Sequence, residues 1–269
     1  MQAVILCGGQ GTRIRDVAED IPKPMIPVGG RPILWHVMKI YARHGIKDFV
    51  LCLGYKSWTI KRFFLDYNLA SSDFTLNLGH DEPLDIHGGP ADCEDWRITL
   101  AETGDDAMTG CRLKRVEKYL RGDRFMLTYA DGVSDVDVGK LLRFHEAGGK
   151  IGTVTAVQPP GRFGELDIAA DTGVNEFAEK PALSKGFISG GFFVFERRFL
   201  GRLVNDPTLV LEQGPLMRLA RDGELNAFQH EGFWHPMDSS RDYKYLNDLW
   251  SSNQAPWKTW DVPRLRAVA

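Results

Sequence analysis

Apolar residues recur in two rhythms along this 269-residue chain. Short unbroken apolar runs alternate with longer stretches in which apolar positions fall three and four apart. Residues 2–7 are the first such run and read as a buried strand. Over residues 32–44, Leu34, Val37, Met38 and Tyr41 share one helical face. Pro32 suits the first turn of that helix and Gly45 its end. Residues 48–53 read as a second strand, and Ser57 as the cap of a helix carrying Ile60, Phe63 and Phe64. Strands are expected over 74–78 and 97–101, on either side of a long Gly-, Pro- and Asp-rich loop at 79–96.

Leu113, Val116 and Leu120 predict a helix over 108–120, and residues 125–130 a strand that ends at Asp131. A helix over 135–147, a strand over 151–157, a hairpin over 164–180 and a strand over 187–195 containing Gly190-Gly191 follow. From Arg241 the pattern reads as a helix plus an apolar arm with Trp250, Trp257 and Trp260. Strands alternating with helices imply an α/β fold, a Rossmann-like three-layer sandwich around a mostly parallel mixed sheet. The expected organisation is one domain over 1–240, with 241–269 packing on it or on a neighbouring subunit. In such sheets ligands bind beyond the carboxyl ends of the strands, so the loop after residue 7 and Asp131 should share one edge.

That first loop, Cys7-Gly8-Gly9-Gln10-Gly11-Thr12-Arg13, carries the strongest chemical signal. Its glycines let main-chain N–H groups turn toward an anion, and Arg13 and Lys23 follow within reach. A P-loop is excluded, because the glycine-to-Gly-Lys-Ser/Thr spacing is absent. The dinucleotide fingerprint is excluded too, because Ile14 stands where the third glycine belongs.

Charge and cysteine usage narrow the classes. With 33 basic and 36 acidic residues there is no cationic excess to mark a nucleic-acid partner. No apolar run reaches membrane-spanning length, and the first residues lack a signal-peptide pattern, so no membrane partner is expected. Cys7, Cys52, Cys93 and Cys111 form no metal or redox spacing and fit a reducing, cytoplasmic setting. Cys7 reads as a small buried residue of the loop rather than a reactive thiol.

The pattern Gly-Gly-x-Gly-Thr-Arg with a downstream Pro22-Lys23-Pro24 resembles the sugar nucleotidyltransferases, which join a nucleoside triphosphate to a sugar 1-phosphate. Further stretches resemble the branch of that family that uses CTP and glucose 1-phosphate. They include residues 32–36, 44–49, 54–56, 108–115, 159–164, 190–193 and 255–260. The resemblance spans nearly the whole chain and is sharpest at Thr109-Gly110-Cys111-Arg112. It implies the nucleotide-diphospho-sugar transferase fold, transfer of a cytidylyl group to α-D-glucose 1-phosphate, release of pyrophosphate, and a homo-oligomer, either a hexamer or a trimer.

That chemistry brings two polyanions together. Two unit charges about 4 Å apart repel by roughly 4 kcal/mol at an effective dielectric near 20, so fixed cations and a metal are required. A general base is not required, because the attacking phosphate oxygen is already anionic. Arg13 suits the leaving phosphates through its bidentate fork, and Lys23 suits the α-phosphate as a point charge. By resemblance Leu6, Gly8, Gly9, Gly11 and Thr12 complete the nucleotide site, with Thr109 and Arg112 reading the pyrimidine. Lys180 in Glu179-Lys180-Pro181 is implied as the sugar-phosphate ligand, with Gly164, Glu179, Ser189 and Gly190 around the sugar. Hard oxygen ligands suit Mg2+, and the resemblance pairs Asp131 with Asp238 for it.

Several positions depart from the family pattern. Ser189 stands where Asn is usual, Ser239-Ser240 where Thr-Leu is usual, and the 80–96 loop differs. These leave the identity of the sugar open. The same chemistry on another pyrimidine or sugar, or a catalytically silent nucleotide-sensing module on the same fold, remain alternative readings at this stage.

Overall fold

The computed structural model describes residues 1–11, 14, 16–17, 20–78, 84–87, 94–159, 165–168, 174–178 and 186–261. An eight-stranded mixed sheet forms its centre. Arg124–Tyr129, Gln2–Leu6, Asp48–Leu53 and Arg97–Glu102 lie side by side and run parallel. Phe193–Glu196 pairs antiparallel with Arg124–Tyr129 on one side and with Gly152–Val157 on the other. Leu225–His230 and Ile188–Ser189 both pair with Gly152–Val157.

The unbroken apolar run of the first strand is explained by two covered faces. All five residues of Gln2–Leu6 are buried. Ala3 and Ile5 point into a core shared with Ile33, Val37, Met38 and Tyr41 of the helix Ile33–Ala42. Val4 and Leu6 point into a second core with Val50, Leu113, Val116 and Phe193. Alternate side chains of one strand thus supply two cores, which makes the three layers. No helix among the described residues is long and apolar enough to cross a membrane.

Boundaries differ from the sequence reading where local chemistry intervenes. Ser57 does not cap its helix. Lys56 takes the cap position at φ 51, and the Ser57 hydroxyl donates instead to Glu102. The stretch 108–120 is an α-helix only over Thr109–Arg115, followed by a 3-10 turn at Glu117–Tyr119. The helix expected from residue 135 starts at Val138, because Asp137 caps it by accepting from Lys140 N–H at 2.8 Å. The strand expected over 187–195 is broken into Ile188–Ser189 and Phe193–Glu196, with Gly191 at φ 73 and buried Phe192 at φ 48. The helix Pro215–Arg221 and the strand Leu225–His230 have no counterpart in the sequence reading.

The C-terminal tryptophans pack on the helix Ile33–Ala42 around His36, which is fully buried. His36 Nε2 lies 2.8 Å from the Val28 carbonyl, and Trp257 Nε1 donates to His36 Nδ1 at 3.3 Å. Those partners require a neutral ring protonated at Nε2. Burial pushes its pKa down to about 4.

Candidate active site

The carboxyl ends of the parallel strands open into a cavity of about 480 Å³. One side is the loop after Gln2–Leu6, with Lys23 and Pro24. Residues 105–109 with Arg112, Tyr129–Asp131 and Asp238 complete its lining.

A two-stranded ribbon brings the two aspartates together. Gly132–Ser134 pairs antiparallel with Trp234–Pro236, so Gly132 faces Pro236, and Met237 N–H donates to the Asp131 carbonyl at 2.8 Å. Asp238 follows directly and is fixed by the start of the helix Ser240–Ser251. Ser239 is the N-cap of that helix, and Asp242 completes a capping box. The Asp242 carboxylate also accepts from Asp238 N–H at 3.0 Å and lies 3.1 Å from His235 Nε2. Burial opposes its charge, but bonds from Ser239 and His235 hold its pKa below the usual carboxylate value. A charged, multiply bonded cap thus orients the main chain that carries Asp238.

Lys23 completes the cluster. Its Nζ lies 2.6 Å from Asp131 Oδ2 and 2.6 Å from Asp238 Oδ1. Burial works against the ammonium, yet Asp131 and then Asp238 hold its pKa above the ordinary lysine value. A cation therefore sits between two hard oxygen donors, and the pair fits a Mg2+ ion on the same ground. No group of three or more His, Cys, Asp or Glu that could hold a metal occurs among the described residues. Mg2+ needs only one or two carboxylates when phosphates supply further ligands.

Thr109-Gly110-x-Arg112 is explained residue by residue. Met108 N–H donates to the Pro207 carbonyl at 2.8 Å and Gly110 N–H to Leu209 O at 2.9 Å. A Cβ on Gly110 would lie 2.8 Å from Leu209 Cγ and 2.9 Å from its carbonyl oxygen, so only glycine lets that segment dock. Arg112 is buried. Its Nη1 donates to Leu53 O, Thr103 Oγ1 and Gly104 O at 2.7–3.0 Å, and its Nη2 to Gly8 O and Asp105 O at 3.0 Å. A Cβ on Gly8 would overlap this guanidinium, which accounts for glycine there. Arg112 therefore clamps the glycine loop to the 103–105 segment, and its terminal N–H groups are engaged with the protein.

The structure gathers Leu6, Gly8, Gly9, Gly11, Lys23, Thr109, Arg112, Asp131 and Asp238 around one cavity. Ser189 is exposed and lies outside it. Gly190 is held by the Thr155 carbonyl at 2.8 Å and by the Trp234 indole at 2.8 Å. Thr12, Arg13, Gly164, Glu179 and Lys180 lie outside the described residues. Cys7 is buried, and burial together with neighbouring Cys52 raises its thiol well above the ordinary value, so it is no thiolate nucleophile.

Sequence reasoning missed Tyr129 and Glu212. The Tyr129 hydroxyl and Thr109 both donate to the Glu212 carboxylate, Thr109 at 2.8 Å. Tyr129 had a weak signal as the last strand residue before Ala130-Asp131. Glu212 had none.

The nucleotidyl transferase family model matches residues 2–234. The chain belongs to the nucleotidyl transferase family. The glucose-1-phosphate cytidylyltransferase of Salmonella typhimurium is 50% identical over 262 residues, covering 97% of this chain and 100% of that protein. The probable glucose-1-phosphate cytidylyltransferase of Bacillus subtilis is 41% identical over 260 residues, covering 97% and 100%. Among solved structures, HddC from Yersinia pseudotuberculosis superposes with a TM-score of 0.63 at 23% identity, covering 93% of this chain and 99% of that one. That likeness extends to the fold. In this nucleotidyl transferase, the cavity at the strand ends brings Lys23 together with Asp131 and Asp238.

Proposed function

We propose that the protein is a glucose-1-phosphate cytidylyltransferase, transferring the cytidylyl group of CTP to α-D-glucose 1-phosphate with release of pyrophosphate. The observation that carries this reading is the convergence of Lys23, Asp131 and Asp238 in a cavity that Thr109 and Arg112 also line. Near-full-length identity of 50% to a glucose-1-phosphate cytidylyltransferase supports it.

The glycine loop lies against the triphosphate with main-chain N–H groups, and the Arg112 clamp keeps it there. Asp131 and Asp238 would hold Mg2+, which when bound supplies charge neutralisation for the phosphates. Lys23 then pairs with α-phosphate oxygen in place of the carboxylates. Arg13 neutralises the leaving phosphates, and Lys180 with Glu179 positions the sugar 1-phosphate. The phosphate oxygen of the sugar attacks the α-phosphorus, and the bond to the bridging oxygen of the β-phosphate breaks in line. No side chain accepts a proton, so the rate enhancement comes from positioning and electrostatics. Buried free thiols at Cys7, Cys52 and Cys111 suit a cytoplasmic setting.

Incubation of the protein with CTP, glucose 1-phosphate and Mg2+, followed by mass spectrometry, is expected to give CDP-glucose. Product with galactose or mannose 1-phosphate in preference to glucose would overturn the sugar assignment alone.

A further inference from the structure

Glu212 lies outside every motif of the sequence. It sits behind the cavity wall, half-buried, with two hydroxyls aimed at it. Thr109 Oγ1 donates to its Oε2 at 2.8 Å, and the Tyr129 phenol donates to its Oε1. Burial, and after it the negative charge of Glu212, raise the pKa of Tyr129, which keeps the phenol a donor. A carboxylate only accepts, so Thr109 has committed its single hydroxyl proton to Glu212. Thr109 Oγ1 also accepts from Leu211 N–H at 2.9 Å. One lone pair remains on the hydroxyl oxygen of Thr109, a residue that lines the cavity.

That lone pair can take a hydrogen bond and cannot give one. Cytosine presents an amino donor at its 4-position, where uracil presents a carbonyl acceptor. We propose that Glu212 determines the base preference, by holding the Thr109 hydroxyl as an acceptor for the 4-amino group of cytosine and denying a donor to the 4-carbonyl of uracil. Without Glu212 the hydroxyl rotates freely and serves either base. Glu212 is thus a positioning residue that acts through Thr109. The inference rests on the CTP reading above.

The test compares kcat/KM for CTP, UTP and the triphosphate of the pyrimidin-2-one ribonucleoside, which lacks the 4-amino group. In the wild type, both UTP and the analogue without the amino group should trail CTP by at least about tenfold. Glu212→Ala should shrink the CTP-to-UTP ratio about tenfold or more, with UTP use holding or rising. Thr109→Val should shrink it equally, and the double variant should lose nothing further, since one acts through the other. Tyr129→Phe, which spares the Thr109 bond, should keep the ratio within about twofold.

Additive losses in the double variant, or an unchanged ratio in Glu212→Ala, would overturn the role of Glu212 and leave the CTP assignment standing. Should Glu212→Ala not fold, Thr109→Val and the wild-type analogue series still decide. A wild type indifferent to the missing amino group refutes the contact. A wild type that prefers another nucleotide overturns the CTP reading and this inference with it.

Discussion

Arg112→Met separates a clamp from a base reader. Methionine keeps most of the stem and removes every donor. The guanidinium serves five acceptors, but not all would be orphaned. Leu53 O keeps Thr103 N–H at 3.0 Å, and Gly8 O keeps Tyr55 N–H at 3.4 Å. The loss falls chiefly on the carbonyls of Gly104 and Asp105, two exposed residues, and on the packing between the two segments. Each lost bond to a charged donor is worth about 1.5–3 kcal/mol, less where water replaces it, so the variant should be destabilised by about 2–4 kcal/mol. With the clamp gone, the glycine loop is no longer tied to residues 103–105, and every triphosphate should bind more weakly. Urea unfolding followed by fluorescence reads the first effect, and KM values for CTP and UTP read the second. The account predicts that both KM values rise and the CTP-to-UTP ratio changes by less than about threefold. A stable variant whose ratio collapses would refute the clamp and make Arg112 a direct reader of the base.

Other expectations follow from the same geometry. Asp131→Asn and Asp238→Asn should each lower turnover by at least about a hundredfold and raise the Mg2+ concentration needed for half-maximal rate. Their urea midpoints should move little, because the ion pairs to Lys23 are partly solvated, and full activity in either variant would remove it from the metal site. His36 gives a pH prediction. Its folded pKa of about 4 lies below the ordinary 6.5, so the unfolded chain binds the proton first as pH falls. Stability from this neutral ring is complete above about pH 6.5 and lost on acidification toward pH 4, about 3 kcal/mol in all and about 2 kcal/mol by pH 5. The stability gap between wild type and His36→Gln should narrow by that amount between pH 7 and pH 5, and parallel pH profiles would contradict it.

The elements easiest to read from sequence are those whose pattern one interaction dominates. Asp48–Leu53 matches its expected bounds because both of its faces are buried, which leaves an unbroken apolar run between a polar start and Gly54. The stretch 108–120 misleads because Leu113, Val116 and Leu120 keep helical spacing through a turn that tightens to 3-10 after Arg115. The sequence reading runs a strand through Gly190-Gly191, whereas the chain breaks there, with a left-handed Phe192 that only tertiary packing sustains.

The site divides in the same way. Glycines and cations in the first loop announce anion chemistry by residue type alone. Ser239-x-x-Asp242 was a legible capping box, and it would have located the helix start that presents Asp238. Arg112 is visible as a charge, whereas its five acceptors are mostly carbonyls that any sequence could supply. Glu212 is 103 residues from Thr109 and meets it through the docking of 207–211 on the helix Thr109–Arg115, a contact with no periodicity to betray it.

The central claim is nucleotidyl transfer from CTP at the cavity walled by Lys23, Asp131, Asp238 and Thr109. The most direct measurement is pyrophosphate release by the purified protein with Mg2+ and glucose 1-phosphate, run separately with CTP, UTP, dTTP, ATP and GTP. The account predicts rapid release with CTP and at most a tenth of that rate with each of the others, roughly the discrimination one directed hydrogen bond supplies. Equal release with a purine nucleotide, or none with CTP, would contradict it.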